Sequence, residues 1–131
     1  MAYKIKRKHT IEDELIIDDL NGKEALRIPV NIYIDDILAQ YNRLRRILGE
    51  AQHNVEENPT SEKALIGLGE AVVALFNLIF GDEWSSKLLE FYDNRWSEML
   101  EDVAPFIVEC IQPKINMAMR DRADKFRRMS L

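Results

Sequence analysis

Carboxylates, two histidines and one cysteine are the side chains of this chain that could do chemistry. Two carboxylates that share a proton can act as a general acid and a general base. Neighbouring residues of a helix diverge by about 100° around its axis, so adjacent acids do not form such a pair. Several adjacent acids stand where helices are predicted to begin, and there they stabilise the positive end of the helix. The adjacent acids considered are Asp18-Asp19, Asp35-Asp36, Glu56-Glu57, Asp82-Glu83 and Glu101-Asp102.

Metal and nucleophilic sites need side chains that converge. His9, His53 and Cys110 fall on different predicted elements without ligand spacing, so no metal site is predicted. Cys110 lies on the apolar stripe of its helix, which favours a buried and inert thiol. Gly67-Leu68-Gly69 is too short for a phosphate loop and lies within a predicted helix. The sequence therefore favours a non-catalytic protein without a cofactor, although residues distant in sequence could still form an enzyme site.

Length and composition indicate one domain with a real core. The chain has 131 residues, of which 47% are hydrophobic, and a chain of this size buries roughly two-thirds of its unfolded surface. A single cysteine cannot form an internal disulfide, which fits a reducing cytoplasm. The longest apolar stretch, residues 71–80, is interrupted by Asn77 and is shorter than the roughly 20 residues of a membrane span. No membrane association is predicted.

Charge is distributed unevenly along the chain. Residues 9–113 carry 8 basic and 21 acidic side chains, a net charge of −13, whereas residues 1–8 and 114–131 each carry +4. A nucleic-acid surface needs basic side chains clustered on one face, so no nucleic-acid partner is predicted. Two interpretations stay open: a solvated surface with basic ends, or ends of one molecule that meet the acidic body of another.

Alternating hydrophobicity predicts strands in the N-terminal part. Strands are expected at about residues 12–18 and 25–32, joined through the turn signal Asn21-Gly22, with residues 3–8 as a third strand. Pro29 removes one ladder donor, which favours an edge or bulged strand. The inward face of the second strand is expected to carry Leu26, Ile28, Val30, Ile32 and Ile34.

Helical periodicity takes over after residue 34. An amphipathic helix is predicted at about 35–55, with Asp35 or Asp36 at its start and Asn58-Pro59 after its end. Thr60 or Ser61 is expected to cap a central, mostly apolar helix that stops at Gly81. Its buried stripe is expected to hold Leu65, Leu68, Val72, Leu75, Phe76 and Ile79.

Shorter helices follow in the last third. A helix at 83–92 is predicted with Asp82 as its cap, and Asp93-Asn94 breaks it. The next helix starts near Arg95, and Pro105 either kinks it near residues 101–104 or splits it, with a second interruption at Pro113. Residues 116–131 are expected to form a basic, flexible tail that is frayed or becomes helical with a partner.

Together these patterns predict an α+β, mainly α fold in a single domain, 1–131. An N-terminal β-hairpin or small antiparallel sheet in about residues 1–34 precedes a helical core, 35–115, and the tail. The core is expected to be a bundle of about four to five helices, one of them interrupted by Pro105.

Aromatic residues cluster in the last third and allow two interpretations. As core, they pack the short helix against its neighbours. As a partly exposed patch, they anchor a partner, since Trp and Tyr dominate interface hot spots. The candidate partner-binding residues are Trp84, Phe91, Tyr92, Trp96 and Phe106.

The segment FGDEWSSKLLEFYDNRWSEMLEDVAPFIVECIQPKI, residues 80–115, resembles the small tail assembly chaperones of long-tailed phages and prophages of Gram-positive bacteria. The shared pattern is a hydrophobic-Gly-acid start, a leucine-rich helix ending in Phe-Tyr, then Ser-Glu-Met-Leu, a Pro-Phe pair and a late Pro-Lys-Ile. The opening YKIKRK and the junction VNIYIDDILAQYNRL fit the same pattern, so the resemblance spans about residues 3–118. These are packing and capping motifs, not catalytic signatures.

The resemblance implies a non-catalytic assembly factor of a siphovirus or prophage. Such a chaperone binds the tape-measure protein, keeps it soluble, and helps recruit subunits of the major tail protein. It self-associates, acts in the host bacterial cytoplasm, and is not part of the mature virion. The alternative from another class is a small stoichiometric adaptor or regulator of phage or bacterial origin that binds one folded protein.

Overall fold

A short hairpin and a run of helices make up the chain in the computed structural model, which describes residues 1–5 and 10–129. This architecture confirms the predicted α+β, mainly α class. Within the described residues the elements are β1 (Thr10–Asp18), β2 (Glu24–Tyr33), α1 (Ile34–Glu57), α2 (Glu62–Phe80), α3 (Asp82–Phe91), α4 (Trp96–Phe106), a π-helical segment (Ile107–Ile111) and α5 (Gln112–Arg128).

The antiparallel hairpin turns where Asn21-Gly22 predicts a turn. The Asp19 N–H donates to the Lys23 carbonyl over 2.7 Å, which leaves a three-residue loop of Leu20, Asn21 and Gly22. Gly22 has φ of 79°, a left-handed conformation that a residue without Cβ adopts at little cost. The Asp19 carboxylate accepts from the Asn21 and Lys23 N–H groups, so this side chain holds the loop closed.

One face of the hairpin is buried against the helices. Ile28, Val30 and Ile32 are at most 3% exposed, as the alternation predicts, while Ile34 already begins α1. The ladder continues across Pro29, and its irregularity lies at Ile17/Asp18. The third strand predicted at 3–8 is not formed at residues 3–5, which have no regular structure, and positions 6–8 lie outside the described residues.

Helix α1 starts without a side-chain cap. Tyr33 is its N-cap, and Asp35 and Asp36 lie in the first turn, where they favour the positive helix end instead of capping it. The helix ends before Pro59 with Asn58 at its C-cap, as predicted. Of the two predicted caps of α2, the structure uses Ser61, whose hydroxyl accepts from the Ala64 N–H over 3.2 Å.

Helix α2 is the centre of the fold. It packs against α1, α3, α4 and β2, and Val72 and Phe76 are fully buried. Leu65 departs from the predicted stripe: it is 38% exposed, because no element covers the first turn on that side. By length and composition α2 is the one helix of the described chain apolar enough to cross a membrane, and 44% of that window is buried.

Short connections separate α2, α3 and α4. Gly81, with φ of 82°, is both the C-cap of α2 and the N-cap of α3. Asp82 therefore is not the cap that the sequence predicts: it is the first residue of α3 and makes no capping hydrogen bond. Asp93 and Asn94 both have positive φ, as a predicted helix break requires, and Asp and Asn tolerate this conformation better than most residues.

Pro105 does not split the helix. Residues 96–128 are helical throughout, and the departure from α geometry comes later, in the π-helical segment just before Pro113. There the Gln112 N–H donates to the Ile107 carbonyl, five residues earlier. A wider turn relieves the clash that a proline ring makes with the carbonyl four residues before it. Pro113 therefore explains the irregularity better than Pro105.

The basic tail forms a helix in place of the frayed segment predicted. Residues 116–128 complete α5 without any partner chain. Ile115 is fully buried, and Ala118 and Met119 pack partly against the core. An ion pair between Arg122 and Asp35 ties α5 to the start of α1. The apolar residues of α5 recur at helical spacing, and this spacing, which the tail prediction did not use, indicates a packed helix.

Candidate functional site

The five aromatic residues predicted to bind a partner do not share one environment. Tyr92 belongs to the core: it is 8% exposed, and its hydroxyl donates to the Asp102 carboxylate over 2.9 Å. Burial, and then the neighbouring carboxylate, raise the pKa of Tyr92 well above its usual range. Phe106 is partly buried and stacks on Phe80, with ring centroids 6.3 Å apart. These two residues serve packing.

Trp84 and Phe91 lie at the two ends of α3. Trp84 is half-buried, and the Lys87 ammonium stands 4.5 Å from its ring centroid. Phe91 is the most exposed of the five at 38%, and its ring meets Tyr92 edge-on at 5.3 Å. Both side chains offer a partner only part of their surface.

Trp96 lines a groove, and a glycine sets its position. A Cβ placed on Gly69 would lie 3.0 Å from the indole Nε1 of Trp96, a distance too short for unstrained packing. Gly67, two residues earlier in the same helix, has no atom within 4 Å of the corresponding position. Of these two glycines, therefore, only Gly69 allows α4 to approach α2 closely, through Trp96.

The α2 groove is the surface beside this contact, with a volume of about 500 Å³. It runs along the side of α2 that faces α3 and α4. Its apolar lining consists of a glycine, four aliphatic side chains and one indole, and its polar lining is one carboxylate and one amide. The lining residues are Ile66, Gly69, Glu70, Val73, Ala74, Asn77, Leu89 and Trp96.

Acidic residues outnumber basic ones in the α2 groove and in the connection next to it. Glu70 lines it, and no Lys or Arg does so among the residues described. The short connection between the lining residues Leu89 and Trp96 carries Glu90, Asp93 and Arg95. Any ligand of this groove therefore meets an apolar floor and a net negative rim.

A second and larger groove lies between the hairpin and α5, with a volume of about 740 Å³. We call it the methionine groove, because Met117 and Met129 line it; Met117, Phe126 and Met129 are 60%, 60% and 54% exposed. Tyr33, at the end of β2, lines the wall of the groove opposite α5 and is 55% exposed. Further lining residues are Thr10, Ile11, Glu12, Ile34, Asp35, Lys114, Ala118, Asp121, Arg122 and Lys125.

Lys114 joins the two walls of the methionine groove. Its ammonium donates to the Glu12 carbonyl and to the Asp13 carboxylate, both over 2.8 Å. The hydrogen bond from Lys114 lowers the pKa of Asp13 below its ordinary value. On the opposite side Arg122 pairs with Asp35 and stands 5.8 Å from the Phe126 ring centroid. Charges of both signs therefore hold the groove in place.

The methionine groove is the surface that the sequence analysis missed. It is built from the tail that was expected to be flexible and from the strand end next to it. One signal was present in the sequence: the stripe Ile111, Ile115, Ala118, Arg122 and Phe126 keeps helical spacing to the end of the chain. Such a stripe predicts a helix that packs on something.

Chemistry-bearing side chains do not gather at either groove. No group of three or more His, Cys, Asp or Glu residues arranged to hold a metal ion occurs within residues 1–5 and 10–129. His53 pairs with Glu57 on the exposed side of α1, and His9 lies outside the described residues. Cys110 is partly exposed, not buried as expected, because Ile107 and Ile111 take the inward side of the π-helical segment.

Both grooves are thus suited to binding an apolar protein surface, and they differ in lining and charge. No family model, curated protein or solved structure matches the chain, so the functional interpretation depends on the residues and geometry of these grooves.

Proposed function

We propose that this protein is a tail assembly chaperone that holds amphipathic helices of a tape-measure protein in the methionine groove. Keeping that long partner soluble would let tail-tube subunits assemble around it. The resemblance of residues 80–115 supports this function, and the methionine groove is the observation that carries it. A tape-measure protein presents apolar helical stripes before the tube closes, and such stripes need temporary cover.

The inward stripe of α5 continues past the body of the protein. Ile111 and Ile115 are fully buried, Ala118 is partly buried, and Phe126 and Met129 further along are more than half exposed. An apolar stripe that leaves the core in this way lacks cover on its last turns. An amphipathic partner helix laid between α5 and Tyr33 would bury these side chains.

The lining of the methionine groove suits a variable partner. Methionine is unbranched and polarizable, so Met117 and Met129 can adjust to apolar surfaces of different shape. Lys125 and Asp121 at the same groove can meet partner charges of either sign. A chaperone that covers many different segments of one long chain needs this tolerance more than it needs a tight fit.

The dimensions favour weak binding of many copies. Residues 117–129 span roughly 18 Å of helix at 1.5 Å per residue, which matches about three turns of a partner helix. One such contact is weak, but successive copies on one long partner gain from multivalency. The proposal therefore expects several copies of this protein per partner chain.

Co-expression with the long, helix-rich protein encoded downstream tests the proposal. The wild type should keep that partner soluble and copurify with it in several copies, measured by native mass spectrometry. Phe126→Asp places a charge on the exposed end of the groove and should weaken capture about tenfold or more, since burying a large apolar side chain contributes about 1.5–3 kcal/mol.

Val108→Asp is the matched control, because Val108 is 58% exposed and lines neither groove. Equal loss of capture in both variants would contradict a role for the methionine groove. A single copy bound to a compact folded partner, with no effect on the tape-measure protein, would overturn the chaperone proposal in favour of an adaptor.

A further inference from the structure

The N-terminal segment, residues 1–8, has apolar side chains that its own copy leaves uncovered. Tyr3 and Ile5 are 91% and 84% exposed, and residues 1–5 have no regular structure. The segment also carries Lys4, Lys6, Arg7 and Lys8 and no acid. It therefore combines exposed apolar side chains with a charge of +4.

The α2 groove has the complementary properties. It exposes an apolar floor, Glu70 lines it, and acidic residues outnumber basic ones in the connection beside it. Ile66 at one end is 54% exposed. The body that carries the groove, residues 9–113, has a net charge of −13. A basic segment with spaced apolar side chains matches this groove in both charge and polarity.

We propose that the N-terminal segment of one copy binds the α2 groove of a second copy. Tyr3 and Ile5 contact the apolar floor near Ile66, Val73 and Trp96, and the lysines face the acidic rim. The inference concerns contacts between copies, so it holds whether or not a tape-measure protein is the partner of the methionine groove.

Charge selects the α2 groove over the methionine groove. The methionine groove begins at Thr10 and is nearer along the chain, but three acidic and three basic residues line it, so its lining offers a segment of charge +4 no net attraction. No such cation lines the α2 groove among the described residues. In the structure of one copy Tyr3 and Ile5 are almost fully exposed, so their own copy does not cover them and a second copy can.

This contact is heterologous, because two different surfaces of the same chain meet. Repeated heterologous contacts give rings when the rotation closes and open chains when it does not. Each copy uses its N-terminal segment once and its groove once. A copy that keeps only the segment and a copy that keeps only the groove should therefore form one pair and stop there.

Two variants test the proposal by complementation. Removal of residues 2–8 deletes the segment and leaves the groove intact. The double variant Ile66→Lys, Glu70→Lys blocks the groove and leaves the segment intact; both side chains are exposed, so the fold is retained, which circular dichroism checks. Leu20→Lys is the control, because Leu20 is a fully exposed apolar residue in the hairpin loop.

Analytical ultracentrifugation gives the readout. Wild type and Leu20→Lys should form oligomers that grow with protein concentration and shrink with added salt, since exposed charge contacts are screened. Each of the two test variants alone should be monomeric, and their mixture should give a 1:1 dimer with altered Trp96 fluorescence. A monomeric wild type, association of the variant without residues 2–8, or a mixture that stays monomeric would each overturn the proposal.

The failure of this proposal is distinguishable from failure of the proposed function. Capture of the tape-measure protein depends on Phe126, which neither test variant changes. Loss of self-association with normal capture would confirm the contact between copies, and normal self-association with loss of capture in Phe126→Asp would leave the two surfaces independent.

Discussion

The methionine groove and the α2 groove differ in how firmly their walls are held. Phe126 and Met129 in the methionine groove are more than half exposed; Phe126 lies in the last turn of α5 and Met129 is its C-cap. The α2 groove instead has Gly69 and Trp96 in close contact and lies on the central helix of the fold. One surface has flexible methionine side chains at the end of a helix, and the other has an indole packed on the backbone of the central helix.

This difference suggests that the two surfaces bind different kinds of partner. A groove with flexible methionines can accept many sequences at modest affinity. A groove of fixed shape and one sign of charge discriminates between partners, because a poorly fitting ligand leaves its floor unfilled. The first property suits variable segments of a long partner, and the second suits one constant segment of an identical copy.

Replacing Trp96 in the α2 groove or Phe126 in the methionine groove with alanine should show which of the two side chains stabilises the fold. Trp96→Ala should lower the free energy of unfolding by about 2 kcal/mol, since the indole is half-buried on Gly69. Phe126→Ala should lower it by less than about 1 kcal/mol, since most of its ring is in water. Urea denaturation of both variants measures the difference.

The same pair decides between the two interpretations of the aromatic residues. If Trp96→Ala leaves stability unchanged but removes binding, Trp96 is a pure contact residue and the α2 groove is less rigid than described. If it unfolds the protein outright, Trp96 belongs to the core. A similar loss of stability in Phe126→Ala would remove the contrast between the grooves.

Alanine at the two glycines of α2 should give unequal changes in stability. Gly67→Ala should raise the free energy of unfolding by about 0.5–1 kcal/mol, because alanine favours the helix and nothing lies near the new Cβ. Gly69→Ala should lose most of this gain, because Trp96 has to move away. Thermal unfolding gives the stabilities, and Trp fluorescence should shift in Gly69→Ala alone. Equal stabilisation by both changes would show that the indole moves freely.

Lys114→Met should loosen the methionine groove by a small, pH-dependent amount. At pH 7 the variant should be about 0.5–1 kcal/mol less stable, because the contact of Lys114 with Asp13 is partly exposed. Since the folded pKa of Asp13 is lowered, the contribution of the pair is present above the ordinary pKa and is lost as pH falls through the folded pKa. Urea denaturation at pH 7 and below about pH 4 should show the difference shrinking. A difference that does not change with pH would assign the effect to the Glu12 carbonyl contact.

Local signals were sufficient for most of the fold. Asn21-Gly22, Asn58-Pro59, Ser61 and Gly81 each act through their own backbone or a neighbour within four residues, so the hairpin and the first helices follow from short stretches. The alternation of Ile28, Val30 and Ile32 likewise reports burial directly, because successive side chains of a strand point to opposite faces.

The sites depended on contacts that sequence spacing does not reveal. Tyr92 and Trp96 are both large aromatics near the same break, yet one is buried on Asp102 and the other lines a groove on Gly69. Only packing between helices distinguishes them. The charges of α5 suggested a solvated tail. Lys114 and Arg122 instead form ion pairs with Asp13 and Asp35, which lie roughly a hundred residues earlier in the chain.

The π-helical segment had a signal in the spacing of buried residues. Met99, Val103, Ile107, Ile111 and Ile115 follow one another at intervals of four residues, whereas an α-helix turns once in 3.6. A stripe kept for so long at that interval requires a wider turn somewhere, and two flanking prolines mark the region. The interruptions predicted at Pro105 and Pro113 rested on the prolines alone, so this spacing was not used.

The wide turn before Pro113 also sets the rotational phase of everything after it. The wide turn absorbs one extra residue, so restoring α geometry within 107–111 without removing a residue would rotate α5 by about 100° relative to α4. Ile115 would then leave the core, and Lys114 would point away from Asp13. A change that straightened this segment would thus dismantle the methionine groove while altering no residue that lines it, which makes the wide turn a determinant of the groove.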